Sequence, residues 1–185
     1  MILFLLACGR LKLSELPDVH GAAWEAPEAT TVRCEAEEDL REATGEGFGH
    51  IRGLLAGVEY LCTAEGPGGS LGTARWTPPE PAEDLPRPKV QVADADAGFF
   101  LVNVFADTEH GPSFALIVDG LGQVRWERRV AGSIKDMDLT WVGEEILAGG
   151  GDLVPHLWNM DGVATWGPTG AVEGGGTRWH HDCGT

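Results

Sequence analysis

Residues 54–66 read LLAGVEYLCTAEG, and this stretch decides how the first part of the chain folds. In its second half a tyrosine, a cysteine and an alanine occupy alternate positions, which is the period of a strand with one buried face. Similar strand-like patterns occur at residues 30–36, 49–54 and 72–76. The region from about residue 16 to residue 79 is therefore predicted to form short strands joined by tight turns.

The order Leu-x-x-Gly-x-x-Tyr-x-Cys-x-Ala, which begins at Leu54, resembles the E–F corner of a fibronectin type III domain. In that corner a tight turn precedes a strand whose tyrosine packs and hydrogen-bonds back. The resemblance implies a small β-sandwich over residues 16–79. In the same register, Cys34 and Cys62 would lie on the two central facing strands.

Cys34 and Cys62 leave two possibilities open. An exported chain meets an oxidising compartment, where the two cysteines could form a disulfide. Closing that loop would stabilise a small domain by about 3 kcal/mol in the chain-entropy model. The alternative is a pair of buried thiols on facing strands.

The amino terminus predicts export. Residues 2–7 are apolar, and Leu5-Leu6-Ala7-Cys8 has the form of a bacterial lipobox, in which the thiol of Cys8 would be acylated. The run is too short to span a bilayer and lacks the basic segment of a complete signal. A start site placed too far downstream would explain both features. We expect residues 1–15 to be a signal and lipobox region of a periplasmic or outer-membrane lipoprotein, held at the membrane only by lipid. The alternatives are an ordinary apolar leader or a cysteine that is simply buried.

The charge of the chain restricts its partners. Its 29 acidic and 13 basic residues give a formal net charge of -16. An acidic surface repels phosphate backbones, which argues against a nucleic-acid partner.

A proline-rich segment divides the chain. Residues 77–89, TPPEPAEDLPRPK, contain five prolines, which remove backbone donors and fix φ. The segment is predicted to be a stiff linker, assigned to residues 80–96, between the sandwich and a second domain at residues 97–185.

The second domain contains a repeated hairpin. Two segments share an aspartate, a glycine turn, a valine and a final tryptophan: residues 115–126, ALIVDGLGQVRW, and residues 155–166, PHLWNMDGVATW. The matching positions of the two segments are about 40 residues apart. That spacing, in a region made only of strands, is typical of four-stranded propeller blades. The chain is therefore predicted to be all-β, with a fibronectin type III-like β-sandwich followed by about two blades of an incomplete β-propeller.

The same residues resemble a known family. Five segments are similar, in their order along the chain, to bacterial arylsulfotransferases of the β-propeller type. They are the first hairpin, Asp136-Met137-Asp138, residues 144–151 (EEILAGGG), residues 157–162 (LWNMDG) and residues 178–182 (RWHHD). The resemblance implies a six-bladed propeller, often preceded by a small β-sandwich. It also implies an exported enzyme that transfers a sulfuryl group from an aryl sulfate donor to a phenolic acceptor without the nucleotide sulfate donor PAPS or another cofactor.

The resemblance assigns His180, His181 and Asp182 to the catalytic site. As the S–O bond of a sulfate ester lengthens, negative charge spreads over the sulfate oxygens. Imidazole can stabilise that charge or act as a base. Since neighbouring residues on a strand point to opposite faces, only one histidine would face the channel, and His181 is preferred. Asp182 would orient a ring by accepting its N–H.

Several alternatives stay open. The chain ends inside the HHD motif, so we expect an inactive front portion of a longer enzyme whose later blades supply most of the channel histidines. The histidines could instead have no role, or could join Asp182 and Cys183 in a metal site, although four consecutive residues rarely match a tetrahedral geometry. A non-enzymatic, lipid-anchored scaffold is the competing function. Arg125, Arg128 and Arg129 form a small basic group that could attract an anion, but we interpret them as a solvated strand face.

Overall fold

The chain is all-β, as predicted, in a computed structural model in which the described residues form antiparallel sheets. One short 3-10 helix, Ala95–Ala97, is the only helical element among these residues. No helix in the described part of the chain has the length and apolar character needed to cross a membrane. The described residues are 11–16, 20–37, 39–81, 83–85, 87–89, 91, 93–105, 113–130, 136–139, 145–150, 153–159 and 164–166.

The chain divides into two compact units, one that runs to Glu80 and one that continues from Pro81. The first unit contains two sheets. One is three-stranded with the order β1-β2-β5, and the other is four-stranded with the order β4-β3-β6-β7. Their bounds are β1 Lys12–Glu15, β2 Gly21–Glu25, β3 Thr31–Ala36, β4 Asp39–Thr44, β5 Phe48–Arg52, β6 Tyr60–Gly66 and β7 Gly69–Trp76.

Alternation along β3 and β6 builds the core of the first unit. In β3, Val32 and Cys34 are buried while the residues between them are exposed. The three sequence patterns at residues 30–36, 49–54 and 72–76 correspond to β3, β5 and β7. Residues of both sheets share one hydrophobic cluster, which includes Trp24 and Ile51 from the three-stranded sheet.

Tyr60 fixes the corner between β5 and β6. Its fully buried hydroxyl accepts a hydrogen bond from the N–H of Leu55 at 2.9 Å and donates one to Oδ2 of Asp39. Asp39 also pairs with Arg41 at 3.1 Å. The expected hydrogen bond from this tyrosine back to the corner is present.

Cys34 and Cys62 are joined by a disulfide. They lie directly opposite each other on the adjacent strands β3 and β6, with their Cα atoms 4.0 Å apart, and both are fully buried. Of the two possibilities that the sequence leaves open, the structure contains the covalent one.

The second unit contains two further sheets. Their orders are β10-β9-β8 and β11-β12-β13-β14, so each is an antiparallel meander of strands that follow one another in the chain. The bounds are β8 Phe99–Phe105, β9 Ser113–Asp119, β10 Val124–Val130, β11 Asp136–Leu139, β12 Glu145–Gly150, β13 Leu153–Asn159 and β14 Ala164–Trp166. The two similar sequences therefore form two hairpins, β9–β10 and β13–β14.

Replacement of Gly49 by alanine should destabilise the first unit. Gly49 pairs with Trp24 across β2 and β5, and a Cβ at position 49 would lie 2.9 Å from three atoms of the indole ring. We expect a loss of about 1–3 kcal/mol in the free energy of unfolding, since the buried ring must move. Gly68→Ala is the control because a Cβ at Gly68 has no atom within 4 Å.

Urea unfolding of the 185-residue chain, labelled with 3-fluorotyrosine, measures this effect. Tyr60 is the only tyrosine of the chain, so its single fluorine resonance reports on the first unit. Equal midpoints for the two alanine variants would contradict the packing of Trp24 on Gly49.

Tyr60→Phe should open the corner locally. The N–H of Leu55 and the carboxylate of Asp39 lose a partner in a partly buried place, which we expect to cost about 1–3 kcal/mol. Hydrogen exchange of the Leu55 amide, followed by NMR, should accelerate. The Leu54 amide, which donates to the carbonyl of His20 at 2.9 Å, is the internal reference for local opening. Unchanged exchange at both amides would show that the phenol oxygen contributes nothing.

Candidate functional site

The sequence-predicted catalytic residues His180, His181 and Asp182 lie outside the described residues, as does the predicted lipidation residue Cys8. The described part of the chain contains no group of three or more histidine, cysteine, aspartate or glutamate side chains that could hold a metal ion. A site has therefore to be sought among other residues, and the second unit provides one.

The loop between β9 and β10 is organised by the carboxylate of Asp119. Its Oδ1 accepts the N–H groups of Leu121 at 3.0 Å and Gln123 at 2.9 Å. Its Oδ2 accepts Nε–H of Arg125 at 2.7 Å, and Nη2 of the same arginine donates to Oε1 of Gln123 at 2.9 Å. The aspartate thus closes a four-residue loop through its side chain.

The interpretation of the three arginines as one solvated face is wrong. The side chain of Arg125 is only 7% exposed, because it is drawn inward by the ion pair with Asp119. Arg129 is exposed and pairs with Asp84 at 2.7 Å. Burial lowers the pKa of Arg128 from its ordinary value, although an arginine stays charged at neutral pH.

Gly120 permits a close approach by the segment before β8. The amide of Asp94 donates to the carbonyl of Gly120 at 3.0 Å, and a Cβ at Gly120 would lie 1.8 Å from the carbonyl oxygen of Asp94. The short helix Ala95–Ala97 follows immediately and brings Ala97 near the same glycine. A larger residue at position 120 would push this segment away.

These contacts border a groove of about 430 Å³ on one face of the β8–β9–β10 sheet. Its floor is apolar and consists of Phe100, Val102, Val104 and Val118. The register of β8 and β9 places Phe100 opposite Val118, with the two valines of β8 further along the same face. Ala97, Asp119, Gly120 and Gly122 complete the loop end of the groove.

The rim of the groove is basic. Arg87, Pro88 and Lys89 line it, and both cations are exposed. Within the described ranges neither cation has an ion pair or a side-chain hydrogen bond. Asp119, the acidic lining residue, is already bonded to Arg125 and to two backbone amides, so it leaves the rim positive.

Sequence reasoning missed this groove because residues 77–89 were assigned only a linker role. A signal was present, since Arg87-Pro88-Lys89 places two cations close together in a strongly acidic chain. Strand β8 reads FFLVNVF, and a nearly continuous apolar run of this kind does not reveal which face is left uncovered.

Comparison of the chain with protein-family models, with curated proteins and with solved structures found no match. The arrangement of the described residues therefore carries the functional argument together with the sequence motifs. An apolar floor below two cations can bind and orient an organic anion.

Asp119→Ala should destabilise the second unit far more than Asp84→Ala. The first change leaves Arg125 buried without its carboxylate, which we expect to cost about 3 kcal/mol or more. The second removes an exposed pair with Arg129 and should cost about 0–1 kcal/mol. Urea unfolding followed through the amide NMR signals of β9 measures both. Similar losses in the two variants would contradict the role given to the buried pair.

Proposed function

We propose that the chain belongs to a bacterial arylsulfotransferase of the β-propeller type, with a fibronectin type III-like sandwich before the propeller blades. The sandwich proposal is supported by the three-stranded and four-stranded sheets, which share one core. It is also supported by Tyr60 at the start of β6, whose hydroxyl bonds back to the corner.

The duplicated meander carries the propeller proposal. β8–β9–β10 and β12–β13–β14 have the same connectivity, and their hairpins begin about 40 residues apart. Trp126 of the first hairpin is buried, which agrees with a role in packing the blade. Each meander has a register shift in its last hairpin, between Val124 and Trp126 and between Leu157 and Trp158.

The proposed activity is transfer of a sulfuryl group from an aryl sulfate ester to a phenol, with no nucleotide sulfate donor. In this transfer the bond from sulfur to the donor oxygen breaks and a bond from sulfur to the acceptor oxygen forms, while the proton that the acceptor phenol loses ends on the oxygen of the donor phenol that leaves. His181 or His180 would donate a hydrogen bond to the sulfate oxygens, where negative charge develops. Asp182 would hold the ring in position by accepting its other N–H.

The activity is tested by phenol-dependent release of 4-nitrophenol from 4-nitrophenyl sulfate. The protein to be assayed is the product of the whole gene that encodes this chain. We expect His180→Gln or His181→Gln, whichever removes the channel-facing ring, to lower kcat/KM by about 100-fold or more. His50→Gln is the matched control, since His50 is exposed in the first unit. Absence of phenol-dependent release, or full activity in the double histidine variant, would refute the transferase.

A binding scaffold is the second candidate, and one surface favours it. Leu40 and Leu61 are each about half exposed and flank Glu35 on the solvent face of the four-stranded sheet. Exposed leucines on a sheet face can serve contact with a protein or polysaccharide partner. In the transfer assay a scaffold gives no turnover, and substitution of the two histidines changes nothing.

A further inference from the structure

We propose that the groove on the β8–β9–β10 sheet binds an amphipathic organic anion. The aromatic body of the ligand would lie on Phe100, Val102, Val104 and Val118, and its sulfate, sulfonate or carboxylate group would contact Arg87 and Lys89. Its lining residues include none of the residues proposed for catalysis, and the inference does not require sulfuryl transfer.

The charge distribution selects an anion. The chain carries a formal net charge of -16, and cations in such a surface are normally near carboxylates. Arg87 and Lys89 have no ionic partner among the described residues, whereas the nearby Arg125 and Arg129 are paired. Two positive charges without an ionic partner in the described part of the chain lie at one rim, where they attract an acidic group and repel a cationic one.

The floor selects an apolar and flat body. Phe100 is 48% exposed although it lies on a strand face whose next neighbours, Val102 and Val104, are only partly exposed. A flat aromatic ligand can cover this ring and the valines together, and the removal of their surface from water favours binding. A small inorganic anion would contact the rim and leave the floor uncovered.

The groove is largely preformed. Pro88 lies between the two cations and fixes φ at that position, so this part of the rim has fewer conformations to lose when a ligand binds. Arg87 and Lys89 both line the groove. At the other end, the hydrogen bond between Asp94 and Gly120 holds the loop in place.

The site is tested by isothermal titration of the full chain with 2-naphthalenesulfonate. Its sulfur is bonded to carbon and not to an ester oxygen, so the sulfonate group cannot be transferred and binding is measured without turnover. We expect binding that weakens as salt rises, with amide NMR shifts at Val102 and Val118. Methyl 2-naphthyl sulfone, which is neutral, and inorganic sulfate, which has no apolar body, should each bind at least tenfold more weakly.

Two variants locate the contacts. Arg87→Gln combined with Lys89→Gln should weaken binding at least tenfold, and Phe100→Ala should weaken it severalfold. The matched control is Arg33→Gln combined with Arg75→Gln, which removes two exposed charges from the first unit. Circular dichroism checks that each variant is folded. His180→Gln combined with His181→Gln should bind the sulfonate normally, so loss of transferase activity and loss of this site can be told apart.

Three results would overturn the proposal. One is equal affinity of the Arg87/Lys89 variant and the control variant. Another is equal affinity for the sulfonate and the neutral sulfone. The third is a dimer in sedimentation equilibrium that dissociates in Phe100→Ala, because the floor would then be covered by a second copy of the chain.

Discussion

The ion pair between Asp119 and Arg125 organises the β9–β10 loop of the second unit. One carboxylate accepts two backbone amides of the β9–β10 loop and the guanidinium that lies almost fully buried beside it. Because this carboxylate is occupied, it neutralises Arg125 and leaves Arg87 and Lys89 as the charges that define the groove. The same loop gives Gly120 the position in which it receives the amide of Asp94. Loop geometry, groove shape and rim charge therefore depend on a single side chain.

The first unit solves a similar problem with a neutral group. A corner between two sheets leaves backbone donors that no strand satisfies, and burial makes an unsatisfied donor costly. The hydroxyl of Tyr60 accepts a hydrogen bond from the Leu55 amide and donates one to Asp39, so a side chain satisfies this backbone donor at the corner. A covalent bond between Cys34 and Cys62 then joins β3 to β6, the two central strands of the larger sheet. Each unit thus combines an apolar core with a polar side chain that accepts hydrogen bonds from backbone amides at a turn.

The burial of a side chain can be predicted from the sequence where it follows from the residue's own place in a strand. It cannot be predicted where it depends on a partner residue across a turn. The alternation around Val32 and Cys34 marks β3 because the burial of each side chain follows from its place in the strand. β1 and β2 are weaker signals, since Gly21–Glu25 contributes mostly small residues. Arg125 was expected in solvent because an isolated arginine is hydrophilic. It is buried because its guanidinium forms an ion pair with Oδ2 of Asp119. The groove could not be derived from the sequence, because it needs the register of β8 and β9 and the path of residues 87–89 together.

Binding and chemistry have different requirements, and the described groove meets those of binding. Sulfuryl transfer needs donors held against the developing charge and a group that can exchange protons with a phenol. The described lining of the groove provides two cationic side chains and an apolar floor, and the carboxylate of Asp119 within it is bonded to Arg125. Such a lining can hold an aromatic anion, and none of its described side chains is a free histidine or carboxylate that could take the proton of an acceptor phenol. Sulfuryl transfer would therefore need groups beyond this described lining, such as the histidines proposed for it.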